Sequence, residues 1–242
     1  MKVLGYLPCL YGAEYLDAAI KSIAPVCDKI IILYTQNPSY GHSTPDENPE
    51  KEWQLKFIAQ NASEKVEWKS YERFAHEGEH RNEIFKFSEG YDLIISCDTD
   101  EVWDTEVLKQ SIEDASKLDN RFIQVSGFVH FWKSFNHICT DGFLPVRIIN
   151  LHSDNKIQGC VNGKIYHFGY AQRMEIMEYK FKIHGHKSEL REDWWGKYLD
   201  WKEGDENVHP VAQNIWNPYR FDKTILPDIL KEHENFHKDI IE

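Results

Sequence analysis

Apolar residues in the first hundred positions alternate between short continuous runs and helical spacing. Continuous runs are typical of strands buried on both faces of a sheet, and they lie at 2–7, 29–34 and 91–96. Leu16, Ile20 and Ile23 recur three or four residues apart and predict the first helix. The repeated order of strand and helix predicts parallel strands with helices on both faces. The expected fold class is therefore α/β, with a Rossmann-like, mostly parallel central sheet.

Further elements of this half follow from the same patterns. Helices are predicted over about 50–61 and 80–88, and another follows Asp104, whose side chain suits an N-cap. A short strand is predicted over 65–68. Residues 35–49 contain three Pro and one Gly among polar side chains, which predicts a long loop.

The chain beyond residue 121 departs from this alternation and predicts mixed elements. Strands are predicted at 122–131, at 144–151 and around Tyr166, an aromatic loop at 132–141, and helices at 174–184 and 226–241. The sequence has no linker, internal repeat or low-complexity segment. We therefore expect a single domain over 1–242.

Composition and charge narrow the class of protein. The 242 residues include 28 Lys and Arg against 40 Asp and Glu, a formal net charge of −12, which argues against binding a nucleic-acid backbone. The 41% of hydrophobic residues exclude a disordered chain. No apolar run approaches the roughly 20 residues that span a bilayer, and the N-terminus is too short for a signal peptide. We expect a cytoplasmic protein without a transmembrane segment.

Two aspartates follow the strand at 91–96, in the segment Cys97-Asp98-Thr99-Asp100-Glu101. Ligands of open α/β sheets bind outside the carboxyl ends of the strands, so this acidic segment is expected at a binding site. Two carboxylates at this spacing can share a divalent metal ion, or one can bind the metal and the other a hydroxyl-rich ligand. In an acidic protein, such a metal would neutralise the phosphates of a bound ligand.

The order of these features resembles glycosyltransferases of the GT-A fold, in particular the family-2 group that uses nucleotide sugars. The resemblance covers about residues 2–105 and is carried by Gly5-Tyr6-Leu7-Pro8, Glu14, Asp28–Leu33, Arg81-Asn82 and Asp98-Thr99-Asp100-Glu101. A second resemblance, to a subset of these enzymes, is carried by the segment 165–170, Arg147 and His209-Pro210. The acceptor signature usual in the family is missing.

The resemblance implies a division of the domain and a set of ligands. Residues 1–105 would bind the nucleotide sugar, 106–225 the acceptor, and 226–242 would form a C-terminal helix. The implied cofactor is Mn²⁺ or Mg²⁺, and the implied metal ligands are Asp98, Asp100 and His167. The implied contacts with the nucleotide sugar are made by Leu7, Pro8, Tyr34, Arg81, Asp98, Thr99 and Asp100.

Several of these roles have plainer alternatives. Arg81 could pair with the diphosphate or with Asp98, or could simply be a surface residue at a helix start. Tyr34 could stack on the base or belong to the core. An inverting transferase needs a carboxylate to deprotonate the acceptor hydroxyl. Asp141 is the first candidate for that catalytic base and Glu101 the second, although Glu101 could serve only to support its neighbours.

The leading hypothesis is a metal-dependent, inverting glycosyltransferase that moves a sugar from a nucleotide-diphosphate sugar to a glycan or another hydroxyl acceptor. A metal-dependent phosphohydrolase or nucleotidyltransferase is a second class, but the first strand ends without an acidic residue. A non-catalytic carbohydrate-binding protein would explain the aromatic residues and not the nucleotide half. A zinc site on His184 and His186 is disfavoured, since residues two apart on a helix point to different faces. A phosphate could instead recruit Lys180 or Lys182 from the same segment.

Overall fold

The computed structural model describes residues 1–184, 187–211 and 214–242, and these residues form two sheets and seven α-helices. The strands are β1 (Val3–Cys9), β2 (Lys29–Thr35), β3 (Val66–Tyr71), β4 (Leu93–Ser96), β5 (Glu101–Trp103), β6 (Phe122–Val125), β7 (Phe128–Trp132), β8 (His137–Cys139), β9 (Val146–Asn150), β10 (Gly159–Val161), β11 (Ile165–Tyr170) and β12 (Tyr219–Arg220). The helices are α1 (Ala13–Ile23), α2 (Glu52–Ala62), α3 (Glu77–Asn82), α4 (Thr105–Ala115), α5 (Met174–Lys182), α6 (Trp194–Asp200) and α7 (Asp228–Lys231). Short 3-10 segments cover Tyr40–His42, Glu83–Phe87, Lys187–Glu189 and Lys223–Ile225.

The larger sheet has seven strands in the order β10-β6-β9-β4-β1-β2-β3. Strands β4, β1, β2 and β3 are parallel, β9 is antiparallel to both of its neighbours, and β10 is parallel to β6. The predicted α/β class with a mostly parallel central sheet is thus confirmed. Within it, the chain runs from β1 outward to β3 and then returns to place β4 on the other side of β1.

Alternate residues of the central strands enter two hydrophobic clusters, as expected for strands buried on both faces. Ile30 and Ile32 of β2 pack with residues of α1, α2 and α4 on one face. Ile31 and Leu33 pack on the other face with Ile84 of the 3-10 segment that follows α3. Asp104 caps α4 as predicted, since its side chain accepts a hydrogen bond from the Val107 N–H at 3.2 Å. Helical segments therefore cover both faces of the sheet.

The second sheet has the order β12-β8-β7-β11-β5 and explains where the sequence interpretation was wrong. The strand predicted over 122–131 is two strands in different sheets, which separate at Gly127 with a φ of 75°. The aromatic loop predicted over 132–141 contains β8, and β5, β10 and β12 were not predicted. Each missed strand has only two or three residues, too few to show a period of two.

The C-terminal tail also differs from the prediction. Helix α7 ends at Lys231, and the long helix predicted over 226–241 does not form. Two side chains beyond α7 instead bind the first turn of α1: the His233 ring N bonds the Glu14 carbonyl at 2.8 Å, and the Asn235 amide donates to the Glu14 carboxylate. Further along, Ile241 is buried in a cluster that contains Tyr15. These tertiary contacts replace the helical hydrogen bonds that a charged tail would otherwise form.

A membrane-crossing helix is not found in the part of the chain that the structure describes, since every described helix is too short or too polar.

Substitution of Gly127 tests whether the break between β6 and β7 depends on the backbone conformation of this glycine. A Cβ there would lie 2.2 Å from the Gly163 carbonyl oxygen, so Gly127→Ala must displace backbone as well as adopt a strained φ. Gly90 is the matched control, with a φ of 80° and open space around its Cβ position. We expect Gly127→Ala to lower the free energy of unfolding clearly more than Gly90→Ala, for which the left-handed φ alone costs about 1–2 kcal/mol. Equal losses in chemical denaturation would contradict this account.

Glu14 gives the tail contact a pH dependence. Its side chain is 1% exposed, and burial raises its pKa from 4.5 to about 7. At pH values between 4.5 and about 7, Glu14 is therefore protonated in the folded state and ionised in the unfolded state. The free energy of unfolding falls as the pH rises through this range. We expect the stability difference between Glu14→Gln and the wild type to shift in favour of the variant from pH 5 to pH 7. Denaturation curves at both pH values measure it, and an unchanged difference would disprove it.

Candidate functional site

A cleft of about 390 Å³ lies where the strand order of the larger sheet reverses, outside the carboxyl ends of β1 and β4. Its lining includes residues that follow β1, residues of α3, the acidic segment after β4, and residues of β11 and α5. Of the predicted site residues, the cleft brings together Pro8, Arg81, Asp98, Thr99, Asp100 and His167. This is the position at which open α/β sheets bind their ligands.

Asp98 is held by two arginines. Its carboxylate accepts hydrogen bonds from Arg81 Nη1 at 3.0 Å and from Arg147 Nη2 at 3.0 Å. Burial alone would raise the pKa of Asp98, but Arg81 and Arg147 together hold it well below its usual range. Arg81 comes from α3 and Arg147 from β9, so the carboxylate joins two elements that are distant in the sequence. Arg81 thus forms the ion pair with Asp98 that was one of its predicted alternatives.

Glu101 does not face the cleft, contrary to its candidacy as the catalytic base. Its side chain is fully buried and binds Arg147 through two hydrogen bonds, of which the one from Nε is 2.8 Å long. Burial raises the pKa of Glu101 to about 7, and Arg147 opposes that shift. A carboxylate engaged in this way is a poor proton acceptor for a substrate. Glu101 instead fixes the arginine that binds Asp98.

Asp100 is buried and is held by residues of the C-terminal half. Its Oδ2 accepts from Lys180 Nζ at 3.2 Å and from Gln172 Nε2 at 3.1 Å, and its Oδ1 lies 3.7 Å from His167 Nε2. Burial would raise the pKa of Asp100, but Lys180 and His167 keep it below its usual value. Asp100 therefore already has an ammonium group beside it.

His167 connects the cleft to Asp141. Its Nδ1 lies 2.9 Å from Nδ1 of His130, and His130 Nε2 lies 3.5 Å from the Asp141 carboxylate. Burial lowers the pKa of His167 to about 3, so its imidazole is neutral. Asp141 itself does not line the cleft, and it accepts a hydrogen bond from Trp216 Nε1 at 3.0 Å. The two imidazoles thus lie between Asp100 and Asp141, and of the three contacts only the one between the rings, at 2.9 Å, is a hydrogen bond.

The N-terminus of α1 is occupied by a carboxylate of the chain itself. Glu50 Oε2 accepts from the Gly12 and Ala13 N–H groups at 2.6 and 2.9 Å, and its Oε1 binds Arg173 at 2.8 Å. Gly12 has a φ of 120°, and a Cβ on it would lie 2.3 Å from the Thr99 hydroxyl oxygen. The tight turn after β1 therefore brings Thr99 against the start of α1, while Glu50 satisfies the helix end.

Two predicted contacts with the nucleotide lie outside the cleft lining. Leu7 is fully buried in β1, and Tyr34 is 2% exposed and stacks on Trp68 with the ring centroids 5.4 Å apart. Tyr34 is thus a core residue, which was the plainer of its two interpretations. A contact of Leu7 with the nucleotide sugar, or stacking of Tyr34 on the base, would require a rearrangement of the sheet core.

The predicted set of metal ligands does not come together as three donors. Asp98 is engaged by two arginines, and only Asp100 and His167 approach each other. Among residues 1–184, 187–211 and 214–242, no group of three or more His, Cys, Asp and Glu side chains could hold a metal ion. His186 of the disfavoured zinc pair lies outside the described residues. The residues present therefore do not fit the three-ligand Mn²⁺ or Mg²⁺ site that the sequence predicted.

Two residues of the site, Glu50 and His130, were not predicted. Lys180 was one of the two lysines of the 174–184 segment that a phosphate could recruit, and the structure has Lys180 at the cleft, whereas Lys182 pairs with Asp46 and Glu178. Glu50 contacts a helix end 38 residues earlier, and such a contact leaves no local signal in sequence. Arg147 was noted in the second resemblance, but its pairing with Asp98 and Glu101 was not expected.

Two solved structures are similar to part of the chain. Glucosyl-3-phosphoglycerate synthase from Mycobacterium tuberculosis, in complex with Mg²⁺ and uridine diphosphate, matches with 13% identity and a TM-score of 0.39 over 52% of this chain and 43% of that chain. TarS residues 1–349 from S. aureus, in complex with UDP, match with 17% identity and a TM-score of 0.38 over 54% of this chain and 36% of that chain. The matched region thus spans less than half of either solved chain. No protein family and no curated protein sequence matches the chain.

Substitution of Arg147 tests whether the ion pairs between the buried charges stabilise the fold. Arg147→Gln leaves Glu101 buried without its cation, and breaking a buried pair in this way costs about 3–5 kcal/mol. We expect Arg81→Gln to cost less, because the Arg81 side chain is 37% exposed and that of Arg147 is 11% exposed.

The measurement is urea denaturation, with the double variant Arg147→Gln/Glu101→Gln as the matched control. Removing the unpaired carboxylate is expected to restore part of the lost stability. An equal loss in both arginine variants, or no recovery in the double variant, would show that the ion pairs do not support the fold.

Proposed function

We propose that the chain is a glycosyltransferase of the GT-A type that transfers a sugar from a nucleoside-diphosphate sugar to a hydroxyl acceptor. The observation that carries the proposal is the position of Asp98, Thr99 and Asp100 together with Arg81 and Lys180, at the point where the order of the parallel strands reverses. Carboxylates there can accept hydrogen bonds from ribose and sugar hydroxyls, and cations can bind the phosphates.

In the donor complex that we propose, each side chain at the cleft has a separate contact. Asp98 keeps both arginines and still has lone pairs for a ribose hydroxyl, because a carboxylate accepts about four hydrogen bonds. Arg81 lines the cleft while bound to Asp98, which places its guanidinium beside the diphosphate. Pro8 and Thr99 form the wall against which the nucleoside lies.

The proposed reaction inverts the configuration at the anomeric carbon. The acceptor oxygen forms a bond to that carbon, the bond between the carbon and the phosphate oxygen breaks, and its electron pair leaves with the diphosphate. The acceptor proton passes to a carboxylate, for which Asp141 remains the proposed base. Phe143, two residues further on, is 52% exposed and offers a sugar ring an aromatic face next to Asp141.

A role for Asp141 has to accommodate its hydrogen bonds. Burial would raise its pKa, but the nearby His130 ring and the hydrogen bonds from the Phe143 N–H and Trp216 keep it below the usual value, which weakens it as a base. The rings of His130 and His167 lie between Asp141 and the cleft. Binding of an acceptor that displaces the Trp216 hydrogen bond would restore its basicity.

Mn²⁺ or Mg²⁺ has no step in this proposed reaction, because the residues present do not fit the predicted three-ligand site. A glycan as the acceptor and a cytoplasmic location stay predictions, and the metal dependence that the resemblance implies is left to a direct test. Asp100 and His167 are the two predicted ligands that lie near each other. Donor binding measured with and without added metal tests their role.

The donor site is tested by titrating the protein with the common nucleoside diphosphates. We expect one of them to raise the melting temperature, since a ligand at about 100 times its Kd adds about 2.7 kcal/mol of stability. Arg81→Gln is expected to weaken that binding at least tenfold, because it removes a cation from the cleft. Arg220→Gln is the matched control. Arg220 belongs to β12, is exposed, pairs with Glu203 and does not line the cleft.

Calorimetry on the same variants gives the binding constants, and release of free sugar or nucleotide from the matching donor measures turnover. Binding of the donor without any turnover, with or without a panel of acceptors, would favour a carbohydrate-binding protein. The absence of binding for every nucleoside diphosphate, with and without Mn²⁺, would disprove the proposal.

A further inference from the structure

The cleft must neutralise a diphosphate if the proposed function is correct, and the inference below rests on that function. An α/β fold has two ordinary devices for the purpose: the N-terminus of the helix after the first strand, and a divalent ion held by carboxylates. In this chain, Glu50 already accepts hydrogen bonds from the first N–H groups of α1. The helix end is thus compensated by a negative charge and is not available to a second one.

The carboxylates are also already compensated by the chain. Asp98 binds Arg81 and Arg147, Glu101 binds Arg147, and Asp100 binds Lys180. Three carboxylates thus face three cations, all supplied by side chains. A divalent ion at Asp100 would have to join a carboxylate that accepts hydrogen bonds from both Lys180 and Gln172.

Lys180 is held firmly in the position beside Asp100. Its Nζ lies 3.2 Å from Asp100 Oδ2, 2.9 Å from the Gly169 carbonyl oxygen and 5.3 Å from the centroid of the Tyr170 ring. A Cβ at position 169 would lie 2.4 Å from the His167 ring and 3.1 Å from that nitrogen, so glycine leaves space for the imidazole and, beside it, for the ammonium group. The side chain is 19% exposed and lines the cleft.

We propose that Lys180 is the cation that binds the donor diphosphate beside Asp100, so that the chain binds and cleaves its donor without a divalent metal. The bond between the anomeric carbon and the phosphate oxygen breaks with its electron pair on that oxygen, and the Lys180 ammonium stabilises the charge that develops there. Asp100 and Gly169 position the ammonium, and Gln172 orients Asp100. The proton of the acceptor hydroxyl goes to the base as before.

A structural role for Lys180 would give different results. If it only compensated the charge of Asp100, its removal would lower stability and leave the affinity for diphosphate unchanged. If it binds the donor, its removal weakens binding of nucleoside diphosphates more than binding of nucleosides, because only the former carry the phosphates. The comparison of a nucleoside with its diphosphate therefore separates the two roles.

The experiment uses the full chain, freed of metal with EDTA, and measures binding and donor turnover in EDTA and then in Mn²⁺ or Mg²⁺. We expect the wild type to bind the nucleoside diphosphate and to turn over the donor within about twofold in either condition. Lys180→Met should weaken diphosphate binding at least tenfold and leave nucleoside binding unchanged, while Lys180→Arg should retain part of the affinity. Lys197→Met is the control, since Lys197 pairs with Asp193 on the exposed surface of α6.

A second variant distinguishes loss of binding from misfolding of Lys180→Met. Lys180→Met/Asp100→Asn removes the lysine together with the charge that it compensates, and it should fold and still fail to bind the diphosphate tightly in EDTA. Two results would overturn the role of Lys180 and leave the transferase proposal standing. One is binding that requires Mn²⁺ or Mg²⁺, and the other is a diphosphate affinity that Lys180→Met does not change. No nucleoside-diphosphate binding in any condition would instead overturn the proposed function.

Discussion

The pairing of buried carboxylates with cations from distant elements is the constraint on which the candidate site depends. Asp98 and Asp100 lie between β4 of the larger sheet and β5 of the second sheet, and Glu101 is the first residue of β5, so the acidic segment joins the two sheets. Their cationic partners come from three other elements, with Arg81 from α3, Arg147 from β9 and Lys180 from α5. Since a charge taken out of water needs a partner, these elements can reach their places only together. The geometry of the cleft is thus a consequence of charge compensation as much as of the parallel sheet.

The turn after β1 shows the same constraint at a helix end. An exposed helix N-terminus has unpaired N–H groups and a partial positive charge, and it attracts an anion. Here the anion is Glu50, which is itself bound by Arg173 from the segment before α5. The start of α1 is therefore held by one residue of the N-terminal half and one of the C-terminal half.

What the sequence could predict was set by the range of the interactions involved. Helix α1, strands β1 and β2, and the cap Asp104 follow from local periodicity and local hydrogen bonds, and they were predicted nearly to the residue. Gly127 separates two strands that a periodic pattern cannot distinguish from one, because the break depends on pairing with different sheets. The Asp98 and Asp100 positions were predictable from their place after a buried strand. Their partners were not, since contacts 17, 49 and 80 residues apart leave no local pattern.

The net charge of −12 also has a different meaning once the partners are known. From composition alone, an acidic chain that binds a diphosphate is expected to recruit a metal cation. Exposed charges farther apart than about 8–10 Å are largely screened at physiological ionic strength, so most of the acidic surface does not act on the cleft. Within it, Asp98, Asp100 and Glu101 are matched by three basic side chains. A diphosphate therefore meets a locally balanced site in which Arg81 and Lys180 line the cleft while bound to Asp98 and Asp100, and the excess of acid elsewhere does not by itself require a metal.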